Sequence, residues 1–418
     1  MGETALPQGN AGDFGFDAAR LSRIDQWMES YVSARKFAGL SLMIARRGTE
    51  VFYRDKGLRD VKNNKPFQRD TVARIYSMTK PITSLAAMML LERGLIHLDQ
   101  PLSDFLPEFS TPSALVPGAT RIDQVERCAC PTLHQILTHT SGFSYSFNEG
   151  ILPEAMEEQK LIFGPTEKSL ARTTERLAEL PLAFHPGQRW EYSVGIDVIG
   201  RVIELVTGRS LAEVFAEEIF APLGMSETSF DVPEARRSRF AALFTPLSGG
   251  AMALNAKASG GDTLRLVDTP SKSPFLNTSM HSGGGGLTGT IDDYMRFAEI
   301  LRNRGQYAGG RLVSPQIARF MMSNHLPGEI ASMGPTSFAE QPMTGMGFGL
   351  GGAVVLDPAR ARMPGNIGDF SWGGMASTFF WVDPVADLSV VFFTQLSPSS
   401  SYPSRAELKA LVHGALVG

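Results

Sequence analysis

Apolar residues recur at helical spacing early in the chain. Leu21, Ile24, Met28 and Tyr31 follow Asp17, which predicts an amphipathic helix over 18–35 with Asp17 as its N-cap. The run Gly39-Leu40-Ser41-Leu42-Met43-Ile44-Ala45 reads as a strand. Arg46-Arg47-Gly48-Thr49 supplies a turn, and Glu50-Val51-Phe52-Tyr53-Arg54 returns as the second arm of a hairpin. The apolar run Leu85–Leu91 continues a helix that stops at Gly94, a natural residue just past a helix end. Beyond Leu95 the pattern turns to helices and long loops. Short helices are predicted over 132–139, 167–179 and 194–207, the last closed by Gly208, and another from Ser210 to Pro222. Residues 231–280 carry few apolar runs and many Gly, Ser and Pro, so no element is assigned there. Thr290 caps a helix over 290–301. Strand signals follow at Gly349–Leu356, Thr378–Val382 and Leu388–Thr394, with Asp383-Pro384 as the turn between the last two, and a helix runs from Ser404 to Leu416.

Helices and hairpins at both ends, around a helical middle, predict an α+β fold. A central antiparallel sheet would be flanked by terminal helices. Residues 1–95 and 281–418 would form this discontinuous part. Residues 96–280 would form a mainly helical insertion, with the active site in the cleft between the two.

Composition narrows the function classes. The chain has 418 residues, 43% hydrophobic and 20% charged, with a net charge of −4. Lys and Arg are scattered, whereas a nucleic-acid partner calls for a basic stripe. No run of about 18 apolar residues exists to span a membrane. Met1-Gly2-Glu3-Thr4-Ala5-Leu6-Pro7 lacks a basic and then apolar secretory leader and does not complete a myristoylation pattern. Cys128 and Cys130 are the only cysteines. They read as free thiols in a reducing compartment, so a cytoplasmic location is expected. No further ligands are spaced around them for zinc.

Candidate chemistry centres on Ile75-Tyr76-Ser77-Met78-Thr79-Lys80-Pro81. Residues three apart on a helix share a face, so the Lys80 amine can lie against the Ser77 hydroxyl. A serine is a weak nucleophile until a base takes its proton, and a desolvated lysine can be that base. Free N–H groups at a helix start suit a developing oxyanion. The pattern alone is not decisive: Ser33-Ala34-Arg35-Lys36 repeats it at the polar end of a surface-type helix, and Ser77 also reads as an N-cap. Trp190-Glu191-Tyr192-Ser193-Val194-Gly195 offers a tyrosine that either shares the proton or plugs the core. Trp372-Gly373-Gly374-Met375 offers either an oxyanion loop, with a free Met375 N–H beside that of Ser77, or a plain hairpin turn.

Taken in order, these stretches resemble the serine β-lactamase and penicillin-binding protein superfamily. The resemblance is strongest to its class C β-lactamase-like branch and, within that, to the family VIII carboxylesterases. It covers nearly the whole chain. Leu137-Thr138-His139-Thr140-Ser141-Gly142-Phe143, Pro186-Gly187, Pro222-Leu223-Gly224-Met225 with Thr228, and Gly285-Gly286-Leu287 also match. Two departures stand out. Tyr192-Ser193-Val194 replaces a Tyr-x-Asn triplet, so the donor to a β-lactam side chain is lost. Trp372-Gly373-Gly374 stands where Lys-Thr-Gly would, so the cation that meets a carboxylate is lost. No Gly-x-Ser-x-Gly occurs, which removes the nucleophile-elbow reading.

The resemblance implies a serine carboxylesterase acting on short acyl esters of small molecules, with no metal and no organic cofactor. Ser77, Lys80 and Tyr192 would be catalytic, with Lys80 and Tyr192 titrating as a coupled pair. The N–H groups of Ser77 and Met375 would hold the oxyanion. Phe143, Tyr145, Phe147 and Trp372, with Gly373 and Gly374, would shape the pocket, core packing being the alternative for each of the aromatics, and His281 reads as a loop residue. Weak cephalosporin opening is also implied. A β-lactamase or D-alanyl-D-alanine peptidase, an acyltransferase and a non-catalytic binding homologue are the alternatives.

Overall fold

A computed structural model describes residues 6–248, 256, 258 and 264–417. Met1–Ala5, most of the stretch read above for a leader, and part of 231–280 lie outside the described residues. Eight of the described strands form one antiparallel sheet. They are β1 (Gly39–Arg46), β2 (Thr49–Asp60), β3 (Lys65–Pro66), β4 (Met346–Phe348), β5 (Ala353–Val355), β6 (Phe370–Gly373), β7 (Phe379–Asp383) and β8 (Leu388–Thr394). Their order is β4-β5-β6-β7-β8-β1-β2-β3, so the chain's two ends meet at the β1–β8 pairing, with Leu42 opposite Phe392. None of these strands comes from residues 96–280.

The central strands are buried on both faces, and the two-residue period assigns each side chain to a layer. Leu40, Leu42, Ile44, Val390 and Phe392 face one layer. It is covered by α1 (Ala18–Ser33), through Leu21, Ile24, Met28 and Tyr31, and by the C-terminal helix (Ser404–Ala415), through Leu408 and Val412. Met43, Ala45, Val391 and Phe393 face the other layer, which holds α2 (Thr79–Glu92) and a helix over Ile291–Arg302. In α2 every side chain from Thr79 to Leu90 is buried. A helix with no wet face belongs to the interior, so a lysine on it is stripped of water.

The predicted caps are present. Asp17 accepts from Arg20 N at 3.0 Å, and Thr132 forms a capping box with Gln135 at the head of α3 (Leu133–Leu137). Residues 194–207 are seen as α4 (Gly195–Thr207), closed by Gly208 in the left-handed conformation at φ 67°. Predicted strand Gly349–Leu356 is shorter, as β5, and β6 emerges from a stretch read only as loop. Described parts of 231–280 form a hairpin of Leu243–Thr245 with Arg265–Asp268 and a turn at Pro274–Leu276. Among the described residues, no helix is long and apolar enough to cross a membrane.

Asp369, Asp383 and His413 gather at the base of β6 and β7 with side-chain ligand atoms within 4.8 Å of one another. Their cation is a protein group: Lys409 Nζ lies 2.5 Å from Asp369 Oδ2.

Candidate active site

A short strand Ala73–Arg74 pairs with Thr288–Gly289 and delivers the chain to Tyr76. Tyr76 is left-handed at φ 42°, a costly state for a residue with a Cβ, held by its surroundings. The chain turns there through Tyr76–Met78 and enters α2 at Thr79. Ser77 therefore sits on a corner two residues ahead of the helix. Tyr294 donates to Met78 O at 2.9 Å, and Leu287 N to Thr79 Oγ1 at 3.2 Å, locking the corner to its neighbours.

Lys80 lies one turn on, fully buried. Its Nζ is 3.3 Å from Ser77 Oγ, 2.9 Å from Tyr145 Oη and 2.7 Å from Gly284 O. Burial pulls its pKa down to about 7, against a smaller opposing pull from Asp197. The Tyr192 ring is centred 4.5 Å from the same nitrogen. Burial raises the Tyr192 hydroxyl well above the ordinary phenol range, while hydrogen bonds with Ser77 and Trp372 pull it back. Trp372 Nε1 donates to that hydroxyl at 3.4 Å, and Asn148 Nδ2 holds the Tyr192 carbonyl at 2.8 Å. The sequence-predicted residues Ser77, Lys80, Tyr192 and Trp372 thus converge.

The β6–β7 turn closes the other side. Gly374 N bonds Thr378 O at 2.7 Å, and a Cβ on Gly374 would meet Ile75 O at 2.2 Å. The turn therefore packs backbone on backbone against the segment leading to Ser77. Among the described residues the Ser77 and Met375 N–H groups have no protein acceptor, so both remain available to an oxyanion.

These groups open on a cavity of about 330 Å³ with mostly apolar walls. Phe147, Phe163, Phe275, Phe338 and Trp372 line it, together with Tyr145, Gly373 and Gly374. Phe338 stacks on Trp372 at 5.8 Å between ring centres. Phe143 does not belong here. It is buried edge-on against Phe109 at 5.7 Å, because the 143–147 segment points Phe143 into the core while Tyr145 and Phe147 stack together at 4.6 Å beside the cavity. His281 packs on Phe230, centres 5.0 Å apart, and does not line the cavity.

Three features escaped the sequence reading. Tyr145 is a direct partner of Lys80 and not only a wall. Asp197, fully buried in the first turn of α4, accepts from Ser282 Oγ at 2.5 Å, from Gly284 N at 3.0 Å and from Tyr145 Oη at 3.5 Å. A lone acid in the apolar run Gly195-Ile196-Asp197-Val198-Ile199 was the available signal. The third is Arg405, from the C-terminal helix. Loss of a lysine at Trp372 was expected to leave the site without a cation, yet a Cβ on Gly373 would meet the Arg405 guanidinium at 2.2 Å. That guanidinium also lies 3.2 Å from Glu340 and 2.5 Å from Gln341, so its charge is already shared.

Comparison with known proteins bears on the family and the fold. The family profile described as Beta-lactamase matches residues 24–414. Protein Rv1367c of Mycobacterium tuberculosis is 33% identical over 88% of this chain and 88% of its own length. Esterase EstB of Burkholderia gladioli is 32% identical over 91% of this chain and 92% of its own. The solved structure of EstCE1, a hydrolase with promiscuous acyltransferase activity, superposes with a TM-score of 0.78 at 27% identity, over 96% of this chain and 99% of that one.

Proposed function

The chain belongs to the Beta-lactamase family, and from that premise we propose that it is a serine carboxylesterase working through an acyl-enzyme on Ser77. The observation that carries the reading is a desolvated amine, Lys80 Nζ, 3.3 Å from the hydroxyl of Ser77, which lines an apolar cavity. Sequence relatives named as esterases support it. Ser77 Oγ attacks the ester carbonyl and gives its proton to Lys80 or Tyr192, which act as one coupled pair. The N–H groups of Ser77 and Met375 hold the carbonyl oxygen as its charge grows. The departing alcohol takes the proton back from Tyr192 or Lys80. Water, activated by the same pair, then releases the acid and frees Ser77.

Lining residues of the cavity come from 1–95, from 96–280 and from 281–418, which supports an active site in a cleft between the sheet-bearing part and the inserted part. Its size and apolar walls favour short acyl groups. Val194 has no side-chain donor and Arg405 is already paired with Glu340, so β-lactam recognition is weak and nitrocefin would open only slowly. Acyl transfer is the second reading. The EstCE1 likeness favours it, and an acyl-enzyme passes its group to any bound nucleophile better placed than water. A non-catalytic role leaves the convergence of Ser77, Lys80 and Tyr192 without a purpose. Free Cys128 and Cys130 support a reducing, cytoplasmic setting.

Initial rates on p-nitrophenyl esters of graded chain length and on nitrocefin, for wild type and Ser77→Ala, test this reading. Short esters should outrun nitrocefin in kcat/KM, and Ser77→Ala should lose at least about 10³-fold on both. Nitrocefin as the better substrate would make the protein a β-lactamase with an unusual carboxylate subsite.

A further inference from the structure

Lys80 Nζ has three neighbours: Ser77 Oγ, Tyr145 Oη and Gly284 O. A neutral amine has two hydrogens and one lone pair, so its chemistry depends on which neighbour faces the lone pair. Gly284 O only accepts, so it takes one hydrogen. Tyr145 can accept or donate, and its choice decides the rest. Donation by Tyr145 to the amine would consume the lone pair and leave a hydrogen aimed at Ser77, which disables the base.

We propose that Asp197 is a positioning residue that sets this direction, holding the Tyr145 hydroxyl as a donor to itself so that the Lys80 lone pair is left facing Ser77. The inference rests on the Ser77 acyl-enzyme reading and concerns how its base is oriented.

Every partner given to Asp197 is a donor aimed at a carboxylate. Ser282 Oγ and Gly284 N converge on Oδ1, and Tyr145 Oη points to Oδ2. The same residue thereby fixes the 282–284 loop, whose Gly284 carbonyl takes the other amine hydrogen. A Cβ on Gly284 would meet Asp197 Oδ2 at 2.2 Å and Tyr145 Oη at 2.9 Å, so the loop is seated against both groups. When the Ser77 proton moves to Lys80, the ammonium gains a third hydrogen while its bonds to Tyr145 and Gly284 stay in place. The proton then leaves with the alcohol, and nothing needs to rotate. Asp197 acts from a distance, as a buried negative charge that steadies the ammonium.

The titratable groups facing Lys80 are few. Tyr145 comes from the 139–148 segment, Tyr192 from the loop before α4, and Asp197 from α4 itself. His139 lies beyond the Tyr192 ring, centres 4.9 Å apart, and burial together with the Lys80 charge keeps it neutral. The 282–285 loop adds only Ser282 and backbone.

The test is the pH profile of kcat/KM and the split between kcat and KM for Asp197→Asn, Tyr145→Phe and the double variant. Asn keeps the acceptor for Ser282 and Gly284 but turns an amide N–H toward Tyr145, which reverses that bond. We expect kcat to fall about 10- to 100-fold with KM little changed. The acid limb should also move to lower pH, since the charge favouring the ammonium is gone. Above the acid limb, where the direct effect of the Asp197 charge on Lys80 protonation no longer enters, the double variant should be no slower than Tyr145→Phe alone, because the positioning effect of both substitutions runs through one hydroxyl. An unmoved acid limb, or losses that multiply, overturns the proposal. If Asp197→Asn does not fold, Tyr145→Phe carries the test by itself: its acid limb should shift the same way, and an unshifted limb refutes the relay. Ser77→Ala separates the two levels. If it retains hydrolysis, the acyl-enzyme reading fails first. If it is inactive while Asp197→Asn behaves as wild type, only the positioning role fails.

Discussion

At Lys80 a charged side chain is carried on a helix with no wet face, and burial moves its proton affinity to about 7. The sign follows from the direction. A lysine lowered from 10.5 is protonated below about 7 and a free base above it. Ester kcat/KM should therefore rise with pH through about 7 and level off above, which a rate profile between pH 5 and 9 reads directly. A flat profile across that range would mean that Lys80 does not supply the base. The pair Ser77–Lys80 was legible through its three-residue spacing, once the later motifs set it apart from the same spacing at Ser33 and Lys36. Tyr192 was legible only alongside the other motifs. The Tyr145 contact to Lys80 was not, since 65 residues separate them and no local period links the two. Phe143 was misplaced for a related reason: in an irregular loop, spacing does not say which aromatic faces the core.

The predicted helices and central strands carry long hydrophobic periods, which is why α1, α2, α4, β1 and β8 could be read within a few residues. Strand β6 could not. It has four residues and stands between glycine-rich turns, so its pairing partners in β5 and β7 define it more than its own sequence does. This short element nevertheless supplies Trp372 to the cavity and aims the turn that carries Met375. Gly374→Ala should push that turn away from Ile75, given the 2.2 Å approach of the added Cβ to a backbone oxygen. We expect kcat to fall on the order of 10²-fold, as for loss of one oxyanion donor, with KM changing much less. Equal kcat in the variant would remove Met375 from the oxyanion role. On the facing wall, Phe338→Ala removes a ring stacked on Trp372 and should extend the preferred acyl chain, read from the p-nitrophenyl ester series.

The molecule as a whole is closed by its two ends. β1 and β8 pair across the middle of the sheet, and the C-terminal helix covers one face while sending Arg405 to the cavity and Lys409 to Asp369. This long-range closure was only partly legible. Hairpins at both ends implied one sheet, but strand order and the buried Lys409–Asp369 pair depend on contacts that no sequence period encodes. Both members of the pair are about fully buried, so removing one partner leaves an unpaired interior charge. Lys409→Ala should cost about 3–5 kcal/mol in urea unfolding near neutral pH. Burial, only partly offset by Lys409, lifts Asp369 to about 6. A raised carboxyl favours the folded state in acid and loses that favour as pH rises through about 6. Without Lys409 the Asp369 carboxyl rises further still, so the destabilisation should shrink as pH falls toward about 6 and stay level below it, and a loss independent of pH would point to packing as its cause.

All of these expectations hang on a covalent intermediate at one hydroxyl. The measurement that reaches it most directly is intact-mass and peptide-map analysis after reaction with a p-nitrophenyl alkylphosphonate, which mimics the tetrahedral state and stays attached to the nucleophile. One phosphonyl group per chain, on Ser77, with ester hydrolysis lost in step, is the expected result. Labelling at another residue, or full inactivation with Ser77 unmodified, would contradict the account.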